Sequence, residues 1–412
     1  MKNFSASLGL LLMAYWSQPA MSQIHEKDLS VILSHPNIDS VSISSSLHNG
    51  AQLFPFQWYQ QVLQSFARSG IGRAVEQENR FDHWQLVAMR VDPCNPLGNS
   101  PHDSSQILCW PQVRLVWQPI VRNLNVGGRF FQSYADDRAI HGIYDLNPAL
   151  DLGSEEAAYL QGLRNRVVQF FAQNNGLNPL HPLTFEEEED FIRLRNRMVS
   201  SLVARVINLR DQRFSSQNYR GHGLRPEVSN FEMGNQFRSR LLSFLTSYAQ
   251  PSNLSALTAF SLPAGRSPAR INVWDFLSFS ARNGAIFPAN VVIRSLHDGR
   301  PIFNLGHISN ARVQVDDQRL ERARLPSNDF NDLFDSVMIH GRRHAAQNII
   351  NANRVLTKNT SCGSCHRINQ PGFNFHNLSR LEGTAVNVSS RVINDVRINL
   401  AWLSQQNLNI SN

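Results

Sequence analysis

In the stretch from residue 112 to 118, Val113, Leu115 and Trp117 alternate with Gln112, Arg114 and Gln118, with Val116 the one apolar residue on the polar side. A period of two is that of a half-buried strand. From residue 153 the period changes. The stretch "SEEAAYLQGLRNRVVQFFAQNNG" has Ser154 as its N-cap candidate, acids in its first turn and Gly176 beyond its end. Those are helix start and stop signals. A second helix is expected at "TFEEEEDFIRLRNRMVSSLVARVINL", where Thr184 and Glu187 fit a capping box, and a third over about Glu232 to Tyr248. Residues 270 to 305 return to strands, with Asn283-Gly284 and Asp298-Gly299 each between apolar runs as tight-hairpin signals; three antiparallel strands account for them. A chain that runs through strands, helices and strands again is confined to the α+β class.

The same pattern divides the chain. Residues 23–150 form a β-rich domain, with an Asn49-Gly50 turn signal and one short helix over roughly Gln57 to Ala67. Residues 151–265 are a helical region, 266–330 a short antiparallel β region, and 331–412 a mainly helical C-terminal segment. In the last, "SSRVINDVRINLAWLSQQ" is amphipathic, with Val392, Val396, Asn399 and Leu403 on one face. A hydrophobic content of 42% and a charged content of 17% are those of a globular chain.

Residues 1–22 read as a secretory signal: Lys2, an apolar run from Ala6 to Trp16, and Ala20-Met21-Ser22 as a small-x-small cleavage site. The run falls short of the ~20 apolar residues that span a bilayer. The expectation is an exported protein (periplasmic, cell-surface or secreted) with no integral membrane segment after cleavage. In that setting Cys94 and Cys109, at the two ends of a polar loop rich in Pro, Gly and Ser between strand-like runs, are expected to form a disulfide. Closing that loop stabilises by about 3 kcal/mol on chain-entropy grounds.

The other two cysteines lie in "NTSCGSCHRIN", where Cys362 and Cys365 are three apart and His366 follows directly. Cys-x-x-Cys-His supplies two thiols for the porphyrin vinyl groups and an imidazole for the iron, on one helical turn. This stretch, with the following Pro371-Gly372 and "FNFHNL", resembles the haem-binding segment of cytochrome c. The resemblance implies one covalent haem c, with Cys362 and Cys365 as thioether sites and His366 as the proximal iron ligand. Small cytochromes c place a methionine ligand downstream, whereas here no methionine follows Met338. The candidates for the sixth position are Met338, His340, His344 and His376. We take His376, ten residues beyond His366 and flanked by Phe373 and Phe375; its other reading is a cap or a hydrogen bond to a haem propionate.

Three rival chemistries fit the same pentad. A thioredoxin-like dithiol follows a strand, whereas a helix is expected before Cys362. A structural zinc site needs four ligands, for which His376 or the pair His340 and His344 are available. A plain Cys362–Cys365 disulfide leaves His366 incidental.

The remaining polar features carry less. The acids from Glu186 to Asp190 read as a solvated helix start, and "GHG" at 221–223 and Asp136-Asp137 with His141 read as loop residues. The net charge of +7 is almost all arginine, the lysines being Lys2, Lys27 and Lys358. The basic residues are scattered and accompany no nucleic-acid motif, so nucleic acid is not the expected partner. From His340 to Leu400, eight Arg or Lys stand against two acids, Glu382 and Asp395, a surplus of six positive charges. Such a field would balance haem propionates or steer an acidic redox partner protein. The expected function is electron transfer by a mono-haem cytochrome c-like protein. Two alternatives stand beside it: a peroxidase-like haem enzyme with an open iron site, and an exported binding or envelope-structure protein.

Overall fold

The computed structural model describes residues 24–33, 41–65, 76–77, 79–97, 108–126, 128–135, 138–174, 182–229, 234–261, 273–288, 296–297, 300–301, 312–316, 388, 390–406 and 408. They form a mixed α+β structure around one antiparallel sheet.

The sheet begins with a short helix α1 (Glu26–Leu29) and strand β1 (Ser30–Ile32), followed by α2 (Phe56–Ser65), β2 (Trp84–Pro96) and β3 (Cys109–Val126). Next come β4 (Arg129–Ala135) and β5 (Ala139–Asp145). The helical segment holds α3 (Ser154–Asn174), α4 (Phe185–Ile207), α5 (Pro226–Ser229) and α6 (Gly234–Tyr248). Strands β6 (Leu254–Ser261), β7 (Val273–Arg282), β8 (Ala285–Pro288), β9 (Leu296–His297), β10 (Arg300–Pro301) and β11 (Arg312–Asp316) follow, and α7 (Ser390–Gln405) is the last helix described. The strand order is β1-β2-β3-β5-β6-β7-β11, with β4 also on β3 and β8 also on β7. Neighbours β5 and β6 pair directly, although helices α3 to α6 all lie between them in sequence.

The alternation around residue 115 sorts the sheet into two faces. Met89, Leu115 and Gly142 stand opposite one another, as do Val91, Val113 and Tyr144. Met89, Val91, Val113, Leu115 and Tyr144, with Trp117, belong to the buried core. The other face carries the facing pairs Arg90–Arg114 and Asp92–Gln112, with Asp145 beyond Gln112. Over Gly142 the apolar face is tight, since a Cβ there would lie 2.9 Å from the Tyr144 ring and 3.0 Å from Trp117.

The helices form for the expected reasons. The Thr184 hydroxyl accepts from the Glu187 N–H at 3.2 Å and the Glu187 carboxylate accepts from the Thr184 N–H at 3.0 Å, closing the capping box of α4. Its buried stripe is Phe191, Leu194, Arg195, Met198, Val199, Leu202, Val203 and Val206, the i, i+3, i+4 spacing of a core-facing helix. In α7 the four residues expected on one face, Val392, Val396, Asn399 and Leu403, are all buried.

Two expectations need correction. The strands of 270–305 do not make a separate short sheet. β7 pairs with β6 and β11 and so extends the main sheet, while β9 and β10 form their own two-stranded ribbon. The Asn283-Gly284 turn does form, with φ of 50° and 75°, joining β7 to β8. β8 ends at Pro288, which has no N–H to continue a ladder. His141, read as a loop residue, lies within β5 opposite Val116, because the strand beginning at Ala139 continues the pairing along β3.

Candidate functional site

Of the residues singled out in the sequence, Cys94 and Cys109 form the expected disulfide. The pentad residues Cys362, Cys365 and His366, the ligand candidates Met338, His340, His344 and His376, and the signal segment lie outside the described residues. What is described is the ground on which helix α7, the next described helix after the pentad, is held.

Helix α7 lies along β2 on a track of buried charge. Asp395 contacts Arg90 at 2.6 Å, with side chains 7% and 8% exposed. One helical turn later Asn399 donates to Asp92 at 3.1 Å. Asp92 also meets Arg114 at 3.2 Å, and Arg114 donates to Asn95 at 2.9 Å and Gln112 at 3.2 Å. Gln112 donates to Asp145 at 2.7 Å, and Asp145 is also bound by Arg164 of α3. The network therefore runs from α7 across β2, β3 and β5 to α3. Buried charges demand partners, so the track fixes where α7 can sit. His141 faces the same side two residues along from the Arg114 pairing. Burial, helped by the Arg114 charge, pulls its pKa from 6.5 down to about 4.

Where β2 ends, α7 meets the disulfide through one side chain. Arg195 of α4, 1% exposed, donates from Nη1 to Cys109 Sγ at 3.2 Å. Its guanidinium lies 5.1 Å from the centre of the Trp402 ring of α7, and its Nε and Nη2 donate to Asn196 Oδ1 at 3.2 and 2.9 Å. Asn196 in turn donates to Gln406 at 3.3 Å. Burial pulls Arg195 down to about 9, which leaves it cationic at neutral pH.

A second buried cluster ties α1 to the segment after α4. Arg225 and Glu227 are both fully buried and joined by two hydrogen bonds of 2.9 and 3.0 Å. Tyr219 donates to Glu227 at 2.8 Å, and Arg210 binds Asp28. Both guanidinia stack on the Tyr219 ring, at 5.0 and 5.1 Å. Burial, then the Glu227 charge, raises the Tyr219 pKa. Its hydroxyl therefore stays protonated, as the donation to Glu227 requires.

The acids at the start of α4 behave as a solvated helix end, with Glu187 paired to Arg166 and Asp190 to Arg193. Among the described residues, no group of three or more His, Cys, Asp or Glu is placed to hold a metal ion, and no helix is long and apolar enough to cross a membrane. Sequence reasoning missed Arg90, Asp92, Arg114 and Arg195: the first three lie on the polar-patterned face of their strands, and for Arg195 the one signal was a charge within the apolar stripe of α4. Comparison with known proteins finds no family model, curated protein or solved structure that matches this chain.

Proposed function

We propose that the protein is an exported, mono-haem cytochrome c-like protein that transfers electrons, with haem c attached at Cys362 and Cys365 and His366 as the proximal ligand. The carrying observation is the division of the cysteines. Of four in the chain, Cys94 and Cys109 are bonded to each other, which leaves Cys362 and Cys365 as a pair with His366 beside them. Two thiols and an imidazole in that order are the donor set that haem c attachment uses. A disulfide is also what an oxidising compartment outside the cytoplasm permits, in keeping with the signal segment read at residues 1–22.

Haem c supplies one-electron exchange at its iron, at a potential set by the axial ligand, burial and hydrogen bonding. The surplus of six positive charges between His340 and Leu400 supports an acidic protein as the redox partner. The test is expression with export in a host that attaches haem c, followed by an absorption spectrum and an intact mass. A Soret band that survives denaturation, with the added mass of one haem, is expected. A chain without covalent haem ends this reading and leaves Cys362 and Cys365 to a disulfide in an exported binding or envelope-structure protein. An open, high-spin iron points instead to the peroxidase-like enzyme.

A further inference from the structure

The Cys94–Cys109 bridge has the position of a structural staple, but its surroundings differ at its two ends. Cys109 is wholly buried and receives the Arg195 N–H at 3.2 Å, whereas Cys94 is 8% exposed. Among the neighbours of the Arg195 guanidinium are a disulfide sulfur, an amide oxygen and an indole face. Reduction would turn the first of these into an anion beside a buried cation. A cation next to a cysteine stabilises its thiolate. A stabilised thiolate is both the better leaving group and a reason for the reduced form to be favoured.

We propose that Cys94–Cys109 is a redox-active disulfide, reduced by a dithiol that attacks Cys94 and displaces Cys109 as a thiolate held by Arg195. One thiolate of the reductant bonds to Cys94 Sγ, the Cys94–Cys109 bond breaks, and its electron pair goes to Cys109. The second thiol of the reductant then attacks the mixed disulfide. The reductant leaves as its own disulfide, two electrons have passed to the protein, and Cys94 is released as the second thiol. The same guanidinium lies 5.1 Å from the Trp402 ring of α7, so the state of the bridge bears directly on the seat of that helix. The proposal is independent of the haem reading.

The full chain, oxidised, is equilibrated at neutral pH in buffers of reduced and oxidised dithiothreitol and alkylated; labels are then assigned to the Cys94 and Cys109 peptides by mass. The pair should reduce while circular dichroism remains native. Arg195→Met should lower the equilibrium constant for reduction about tenfold, or about 30 mV for two electrons, while Arg195→Lys should stay within about threefold of the parent, because the charge that holds the thiolate is kept. With glutathione, the trapped adduct should sit on Cys94. Reduction only on unfolding, an unchanged constant in Arg195→Met, or an adduct on Cys109 would each overturn the proposal. Should Arg195→Met fail to fold, the adduct position decides: on Cys94 it supports the proposal, and on Cys109, or absent from the folded chain, it defeats it.

Discussion

Asn399 donates a hydrogen bond to Asp92 at 3.1 Å across 307 residues of sequence. Together with Asp395 on Arg90, it joins the last described helix to one of the first strands through polar groups that are buried on both sides. Affinity between these elements is therefore bound up with charge placement as well as apolar area.

Removing half of this arrangement should be costly. Asp395→Ala takes from the buried Arg90 guanidinium the carboxylate 2.6 Å away and leaves it Asp92 at 3.6 Å. The expected loss is about 1.5–3 kcal/mol in chemical denaturation, the worth of a hydrogen bond to a charged group. Replacing both Arg90 and Asp395 by Leu should cost less than Asp395→Ala alone. A loss below about 1 kcal/mol, the worth of an exposed pair, would show that solvent reaches the contact.

His141 gives stability a pH dependence of known sign. Its pKa is lowered from 6.5 to about 4 by burial and then by Arg114. Below pH 6.5 the unfolded chain takes up a proton that the folded chain refuses, so stability falls as the pH drops from 6.5 to about 4 and levels off below. The contribution is about 3 kcal/mol. Urea midpoints measured across that range should fall for the parent and fall less for His141→Gln; parallel curves would assign the slope to other groups.

The cluster around Tyr219 should respond unequally to its two simplest deletions. Tyr219→Phe removes a hydroxyl that donates to buried Glu227 and should cost about 1–3 kcal/mol. Arg225→Met takes the cation from the fully buried Glu227 carboxylate, leaving it the neutral donors of Tyr219 and the Asp211 N–H, and should cost more, about 3–5 kcal/mol. Thermal denaturation of the two variants ranks them, and the reverse order would mean that Glu227 has other means of neutralisation.

Gly142 should tolerate no side chain. In Gly142→Ala the new methyl would lie within 3.2 Å of ring atoms of both Tyr144 and Trp117, which are packed in the core. Overpacking of this kind costs about 1–3 kcal/mol. Near-ultraviolet circular dichroism should change with the loss of stability, since two aromatic rings must shift.

For the haem reading, His376→Ala is the informative variant. If His376 is the distal ligand, the parent iron is low-spin and the variant becomes high-spin and binds carbon monoxide. An unchanged low-spin spectrum would pass the sixth position to Met338, His340 or His344.

Local structure was largely legible. The capping box at Thr184 and Glu187, the Asn283-Gly284 turn, the buried stripe of α7 and the Cys94–Cys109 pairing all follow from interactions between residues near in sequence. The pairing of β1 with β2, the union of β7 with β6 in one sheet, and the contacts of Asp395 and Asn399 depend on distant partners. No periodicity encodes these. Charge at buried positions carried no such signal: Arg90, Asp92 and Arg195 are each buried, because each has a polar partner from another element. The pentad, the strongest chemical motif, rests on sequence alone.

The seat of α7 also sets an order in time. Strand β2 is synthesised some 307 residues before Asn399, an interval of about 15–60 s at ribosomal speeds of ~5–20 residues per second. Throughout it Arg90 and Asp92 lack the Asp395 and Asn399 side chains that meet them in the folded protein. Closure over β2 must wait until the residues of α7 have been made, and in any product cut short before residue 390 Arg90 and Asp92 would stay without these partners.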